Sequence, residues 1–128
     1  MENICFVALG SNRKTLQYLI EAQRLLIEKF PDIRFSKILK TQPIDFCSPN
    51  CFYNQTAIFH TDQKEESVTC ILKDIEKQMG RKPEDKSLGI VSIDLDLLVF
   101  NHIIKKPDDL NRFYIQEGIK ELYPTLLR

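Results

Sequence analysis

The sequence predicts an α+β domain with the element order β-α-β-β-α-β, and three observations carry that reading. Two segments, Leu16 to Phe30 and Val68 to Met79, repeat apolar residues at helical spacing. Four others, Ile4–Leu9, Ile33–Thr41, Phe52–His60 and Gly89–Phe100, have strand character. At 128 residues the chain suits one shared core, so residues 1–128 are read as a single domain.

Ile4 to Leu9 is a continuous apolar run that stops at Gly10, the pattern of a central strand buried on both faces. Gly10-Ser11-Asn12 turns the chain. Thr15 is the expected N-cap of a helix on Leu16, Leu19, Ile20, Leu26, Ile27 and Phe30, which Pro31 ends. Ile33 to Thr41 alternates and reads as a second strand with one wet face. Gln42 to Cys51, with Pro43 and Pro49, is a loop, and long ordered loops tend to be functional. In Phe52 to His60, Phe52, Asn54, Thr56 and Ile58 share one face, with Tyr53, Gln55, Ala57 and Phe59 on the other.

Asp62 and Glu65 have the spacing of a capping box, ahead of an amphipathic helix on Val68, Ile71, Leu72, Ile75 and Met79 with Gly80 at its C-cap. Arg81 to Leu88 is a charged loop. In the strand that follows, Val91, Ile93, Leu95, Leu97 and Val99 form an apolar stripe, and Ser92, Asp94 and Asp96 form the opposite face. Ile103-Ile104 is expected as an edge strand and Lys105 to Asn111 as a polar loop. Asn111 is expected to cap a last short helix with Ile115, Ile119, Leu122 and Tyr123, halted by Pro124. The order is the split-βαβ or ferredoxin-like arrangement. Right-handed crossovers put both main helices on one face of an antiparallel sheet and leave the other face for ligand.

Lysine plus arginine and aspartate plus glutamate number 18 each, so net charge is zero and neither a nucleic-acid partner nor a membrane surface is expected. No apolar run approaches the ~20 residues of a membrane span, and Met1-Glu2-Asn3 is not a basic signal-peptide start, so the expected location is cytoplasmic. Cys5, Cys47, Cys51 and Cys70 are dispersed and read as reduced thiols. Oligomeric state leaves no mark on the sequence.

Two carboxylates two positions apart on a strand point the same way, roughly 6.5–7 Å apart along the backbone. That suits Mg²⁺, which is usually held by one or two carboxylates and completed by water and substrate phosphates. Taken alone, Asp94-Leu95-Asp96 more often marks a half-exposed strand with solvated acids.

Four stretches in order, Ala8-Leu9-Gly10-Ser11-Asn12, Thr41-Gln42-Pro43 followed by Phe52-Tyr53-Asn54, Ile75-Glu76-Lys77-Gln78-Met79-Gly80-Arg81, and Ile93-Asp94-Leu95-Asp96-Leu97-Leu98, resemble those of the 6-hydroxymethyl-7,8-dihydropterin pyrophosphokinases of folate biosynthesis. The resemblance implies an enzyme that transfers pyrophosphate from ATP to the hydroxymethyl oxygen of a reduced pterin, leaving AMP. It implies Asp94 and Asp96 as ligands of Mg²⁺ and as catalytic residues together with Arg81. Glu76, Leu97 and Arg112 would lie against the ATP co-substrate. Gly10, Thr41, Ile44, Phe52, Asn54 and Tyr114 would hold the pterin, with Phe52 and Tyr114 stacking on the ring and Asn54 reading its edge.

The sequence departs from the family pattern at the phosphates. Val91 stands where the family has an arginine, and Pro83, beside Lys82, replaces a second one. Leu88 occupies the place of an aromatic lid residue, and Lys106-Pro107-Asp108-Asp109-Leu110 that of a proline-histidine-proline motif. Two other readings are therefore open. One is a pterin- or nucleotide-binding homologue with impaired catalysis. The other is an RNA-recognition module, which shares the element order but stacks bases on strand aromatics; zero net charge and acids on the strand count against it.

Overall fold

The computed structural model describes residues 2–13, 16–41 and 51–127. The apolar run at the start of the chain becomes β1 (Asn3–Ser11), which lies between β4 (Phe52–Thr61) and β5 (Asp94–Phe100) in a six-stranded antiparallel sheet. β2 (Arg34–Phe35) and β3 (Leu39–Thr41) both pair with the outer edge of β4, and β6 (Ile103–Ile104) forms a hairpin with β5. As expected, α1 (Gln17–Lys29) and α2 (Glu65–Gln78) share one face of the sheet. There Cys5, Val7 and Leu9, with Ala57, Phe59, Leu95 and Leu97, meet Leu19, Ala22, Leu26, Val68, Leu72 and Ile75 in one buried cluster.

The opposite face is not wholly left for ligand. After a short α3 (Pro107–Leu110), α4 (Phe113–Leu122) lies across it, and Ile115, Ile119, Leu122 and Tyr123 bury Phe6, Ile58, Leu98 and Val99. Gly118 makes the close approach possible: a Cβ there would lie 2.8 Å from Thr56 Cγ2 and 2.9 Å from its Cβ, and closer still to its Oγ1. What remains for a ligand is the half of this face around Gly10, Asn54, Asp94 and Asp96.

The expected second strand is two short pieces, because Ser36 interrupts its ladder. The Ser36 hydroxyl accepts the Thr56 N–H at 2.8 Å, in the place of a backbone carbonyl, while the Ser36 N–H donates to Thr56 O at 2.9 Å. Phe35 pairs with Ala57 and Leu39 with Asn54, so four steps on one strand oppose three on the other, a bulge. β5 carries a second irregularity. Phe6 pairs with Val99 but Val7 pairs with Leu97, so Leu98 is an extra residue. Upstream of it Ile93, Leu95 and Leu97 face α1 and α2 as expected; Val99 does not, and packs beneath α4 instead. β5 also begins only at Asp94, and Ser92 is buried rather than on a wet face.

Helix ends departed most from expectation. The Asp62–Glu65 capping box does not form, because α2 starts at Glu65 with Lys64 at its N-cap; Glu65 and Glu66 instead place negative charge against the helix's positive end. α4 is N-capped by Arg112, and Asn111 closes α3, which occupies the expected polar loop. The charged loop after α2 contains a 3-10 turn, Pro83–Leu88. Gly80 does follow the C-cap of α2, at φ 85°, where an L side chain would be strained. On α1 the buried stripe is Leu19, Ala22, Leu26 and Phe30, whereas Ile20 and Ile27 are exposed. Each lies one residue off the stripe, about 100° round the helix. The expected cap Thr15 lies outside the described residues.

Cys5, Cys51 and Cys70 are free thiols, and burial pushes the Cys5 thiol up to about 12; Cys47 lies outside the described residues. Among the described residues, no helix is long and apolar enough to cross a membrane.

Candidate active site

The strand register brings the separate motifs into rows. Gly10 pairs with Asn54 on one side and Asp94 on the other; Ala8 likewise pairs with Thr56 and Asp96. Directly paired residues on antiparallel strands share a face, so Asn54 and both aspartates look out from one surface with a bare glycine between them. An added Cβ at Gly10 would meet Asn54 Oδ1 at 3.6 Å, an ordinary contact. The glycine therefore keeps the floor low rather than relieving strain.

Asn54 is buried among strand neighbours and needs a partner. Its amide donates to Thr41 Oγ1 at 2.6 Å, which joins two residues of the expected pterin set. Phe52 pairs with Thr41 and lies two residues before Asn54, on the same face. Tyr114, half-buried at the start of α4, lines a cavity of about 380 Å³ with Leu39, Asn54 and Gly118. Its ring meets exposed Phe113 edge-on at 5.6 Å. Burial pushes the Tyr114 phenol above its usual value, with Arg112 opposing and the charges of Asp109 and Asp94 adding. Ile44 lies outside the described residues.

The carboxylate side is a tight network. Arg81 Nη1 lies 2.8 Å from Asp94 Oδ1 and 2.9 Å from Glu76 Oε2, and donates to the Ile93 carbonyl at 3.2 Å. Burial works against the guanidinium's charge, but these carboxylates outweigh it and hold its pKa above the usual value. Glu76, only 5% exposed, is no solvated acid: its Oε2 accepts the Leu95 N–H at 2.7 Å. Among the described residues β6 pairs only with Val99 and Phe100, and no other strand pairs with this edge of β5 near Leu95, whose amide Glu76 satisfies. Lys106 Nζ contacts Asp96 Oδ1 at 2.9 Å, and Lys73 Nζ stands 4.0 Å from the same oxygen and 3.4 Å from Glu76. Burial, followed by the charge of Asp94, raises the Asp96 carboxyl above the ordinary range despite Lys106.

Two expected residues stand apart from this network. The Leu97 side chain lies in the core beneath α1 and α2, on the face opposite the aspartates. Arg112 pairs with Asp109, at 3.4 Å, at the start of α4.

The sequence reading missed three contributors. Asn12 donates to Gly89 O at 2.7 Å and accepts the Val91 N–H at 2.7 Å, while its own N–H reaches Val91 O at 2.9 Å. Its side chain thus extends β1 by one mock residue and fixes the approach to Asp94. An asparagine directly after a strand-ending Gly-Ser was the available signal. Lys73 was legible from its i,i+3 spacing to Glu76. Lys106 gave no local signal.

Among the described residues no three His, Cys, Asp or Glu side chains cluster to hold a metal alone. Two carboxylates, one with its pKa raised by burial and then by the charge of the other, are nevertheless a fit for a hard cation that draws its remaining oxygens from water and a bound phosphate chain.

The model of the 7,8-dihydro-6-hydroxymethylpterin-pyrophosphokinase (HPPK) family matches residues 6–124. A Bacillus subtilis 2-amino-4-hydroxy-6-hydroxymethyldihydropteridine pyrophosphokinase is 28% identical over 95% of this chain and 79% of its own length. The folic acid synthesis protein FOL1 of Dictyostelium discoideum is 29% identical over 84% of this chain, which spans only 16% of that longer protein. Two crystal structures of substituted Plasmodium falciparum HPPK-DHPS align with 94% of the chain, at TM-scores of 0.55 and 0.53 and identities of 17% and 19%. The chain spans 33% and 32% of those structures, and the likeness establishes a shared fold. With a family match that takes in every described element of the site, this chain belongs to the 7,8-dihydro-6-hydroxymethylpterin-pyrophosphokinase family.

Proposed function

We propose that the protein transfers the β,γ-pyrophosphoryl group of ATP to the hydroxymethyl oxygen of 6-hydroxymethyl-7,8-dihydropterin, releasing AMP, with Mg²⁺ on Asp94 and Asp96. The observation that carries this reading is the row Asn54–Gly10–Asp94, which sets an amide suited to a heteroaromatic edge on one side of β1 and a metal-competent carboxylate pair on the other. The names of the Bacillus and Dictyostelium relatives, and the pterin present in the Plasmodium crystals, support a folate-pathway pterin as the acceptor. ATP and reduced thiols suit a cytoplasmic setting.

Each residue's task follows from its chemistry. Asn54, with its amide N–H oriented by Thr41, reads the pterin edge, and Phe52 and Tyr114 bring aromatic faces, each adding about 0.5–1.5 kcal/mol beyond area burial. Bound Mg²⁺ would neutralise charge on the phosphate oxygens. Arg81 is fixed by Glu76 and Asp94, so its position is set before substrate arrives, and a preorganised donor is what phosphoryl-type transfer rewards.

The test is AMP release from ATP with and without 6-hydroxymethyl-7,8-dihydropterin, at saturating Mg²⁺. Pterin-dependent AMP, with no ADP, is expected. Asn54→Ala should weaken pterin binding, with about 1–3 kcal/mol at stake for an unsatisfied partner. Absence of pterin-dependent AMP would overturn the reading.

A further inference from the structure

Three cations converge on the carboxylate pair, and one of them, Lys106, comes from the segment in which this chain departs most from the family pattern. That segment is folded against β5. The Lys105 N–H donates to Leu98 O at 2.8 Å, and the Leu110 N–H donates to Lys106 O at 3.2 Å to begin α3. The two adjacent lysines then diverge. Lys105 pairs with Glu65 of α2 at 3.0 Å, while Lys106 reaches Asp96 at 2.9 Å. Lys73 approaches the same aspartate from α2, and about half of each side chain stays exposed, 45% for Lys106 and 49% for Lys73. Neither ammonium is locked in a desolvated pair, so both can turn to a stronger anion.

We propose that Lys106, seconded by Lys73, is a polyphosphate-binding group of this chain, taking up the load left by Val91 and Pro83. The inference rests on the pyrophosphokinase reading and extends it to a lysine in the segment where this chain lacks the family's proline-histidine-proline motif, and to Lys73 of α2. In the free protein Lys106 holds Asp96. With a metal-bound triphosphate in the site, the Asp96 carboxylate would turn to the metal and the Lys106 ammonium would be released to pair with a phosphate oxygen. No bond is made or broken; an ion pair is exchanged. A lysine delivers a point charge where an arginine delivers a bidentate fork, so this clamp selects for charge more than for the orientation of the phosphates.

The probe is α,β-methylene-ATP with Mg²⁺, titrated into the wild type and into Lys106→Gln, Lys106→Arg, Lys73→Gln and Asp96→Asn. AMP and the pterin are titrated in parallel. For Lys106→Gln the dissociation constant of the analogue should rise at least tenfold, equivalent to about 1.4 kcal/mol, with a shallower dependence on salt. AMP and pterin should shift by less than twofold and the melting temperature should hold. Lys106→Arg should keep most of the affinity, and Lys73→Gln should show the same pattern more weakly. If Lys106→Gln binds the analogue as the wild type does while Asp96→Asn has lost it, Lys106 is only a surface ion pair; the lysine proposal falls and the pyrophosphokinase reading stands. If the wild type binds pterin but no Mg²⁺ analogue, both fall.

Discussion

Asp96 shows what a functional carboxylate costs the free protein. Its carboxyl titrates above the ordinary range because burial and the Asp94 charge disfavour the anion. A carboxyl raised in the folded state binds more protons there than in the unfolded chain between the two pKa values. Stability therefore falls as pH rises from the ordinary carboxylate value through the raised one, and stays lowered above it. Asp96→Asn should accordingly melt higher than the wild type at pH 7 without ligand, and the difference should shrink toward pH 4; a lower melting temperature at pH 7 would show that the Lys106 ion pair outweighs the repulsion. Val91 is the second informative residue. It is half-buried, lies outside both core clusters, and is held by its backbone to Asn12 rather than by its side chain. Val91→Arg should thus be tolerated, and if the new guanidinium reaches the phosphates, AMP formation should rise at least about tenfold, roughly 1.4 kcal/mol off the barrier. A stable variant with an unchanged rate would direct attention to the Lys105–Asn111 segment.

At the scale of elements, α4 sets the boundary between core and working surface. Gly118→Ala gains about 1 kcal/mol of helix propensity. It also drives a Cβ into the Thr56 side chain, whose Oγ1 is buried without a hydrogen-bond partner among the described residues. Overpacking of this kind costs about 1–3 kcal/mol, so the net expectation is a lower melting temperature. Pterin affinity should fall with it, since Tyr114 rides on the same helix; Thr56→Ala in the same chain should restore part of both. The strands, the two main helices and the facing of Asn54 and the aspartates were legible in the sequence, because period and residue type are local signals. α4 on the second face was not, since its apolar positions say that it packs and not where. Nor was the strand broken at Ser36, where a hydroxyl competes with the ladder, an event that depends on Thr56 twenty residues away. Lys106 belongs with these: its partner is fixed by a turn and a short helix, not by spacing.

Across the whole molecule, one sheet carries both the core and the site. Ligand binding at one end of β1, β4 and β5 should therefore stabilise the fold globally, and Mg²⁺ with α,β-methylene-ATP should raise the melting temperature more than either alone. At a hundred times the dissociation constant the gain is about 2.7 kcal/mol, and it should vanish in Asp96→Asn; an undiminished gain would mean that the acids are merely solvated. The extra residue in β5 has a bearing on this coupling. Up to Leu97 the strand runs in one phase, and from Val99 in the other. A chain without Leu98 would still send Leu97 toward α2 and Val99 toward α4, because the deletion restores strict alternation. The strand behaves as two spliced rulers, one graduated for the carboxylates and one for the hairpin, and the splice keeps an error of length at the hairpin from being copied into the aim of Asp94 and Asp96.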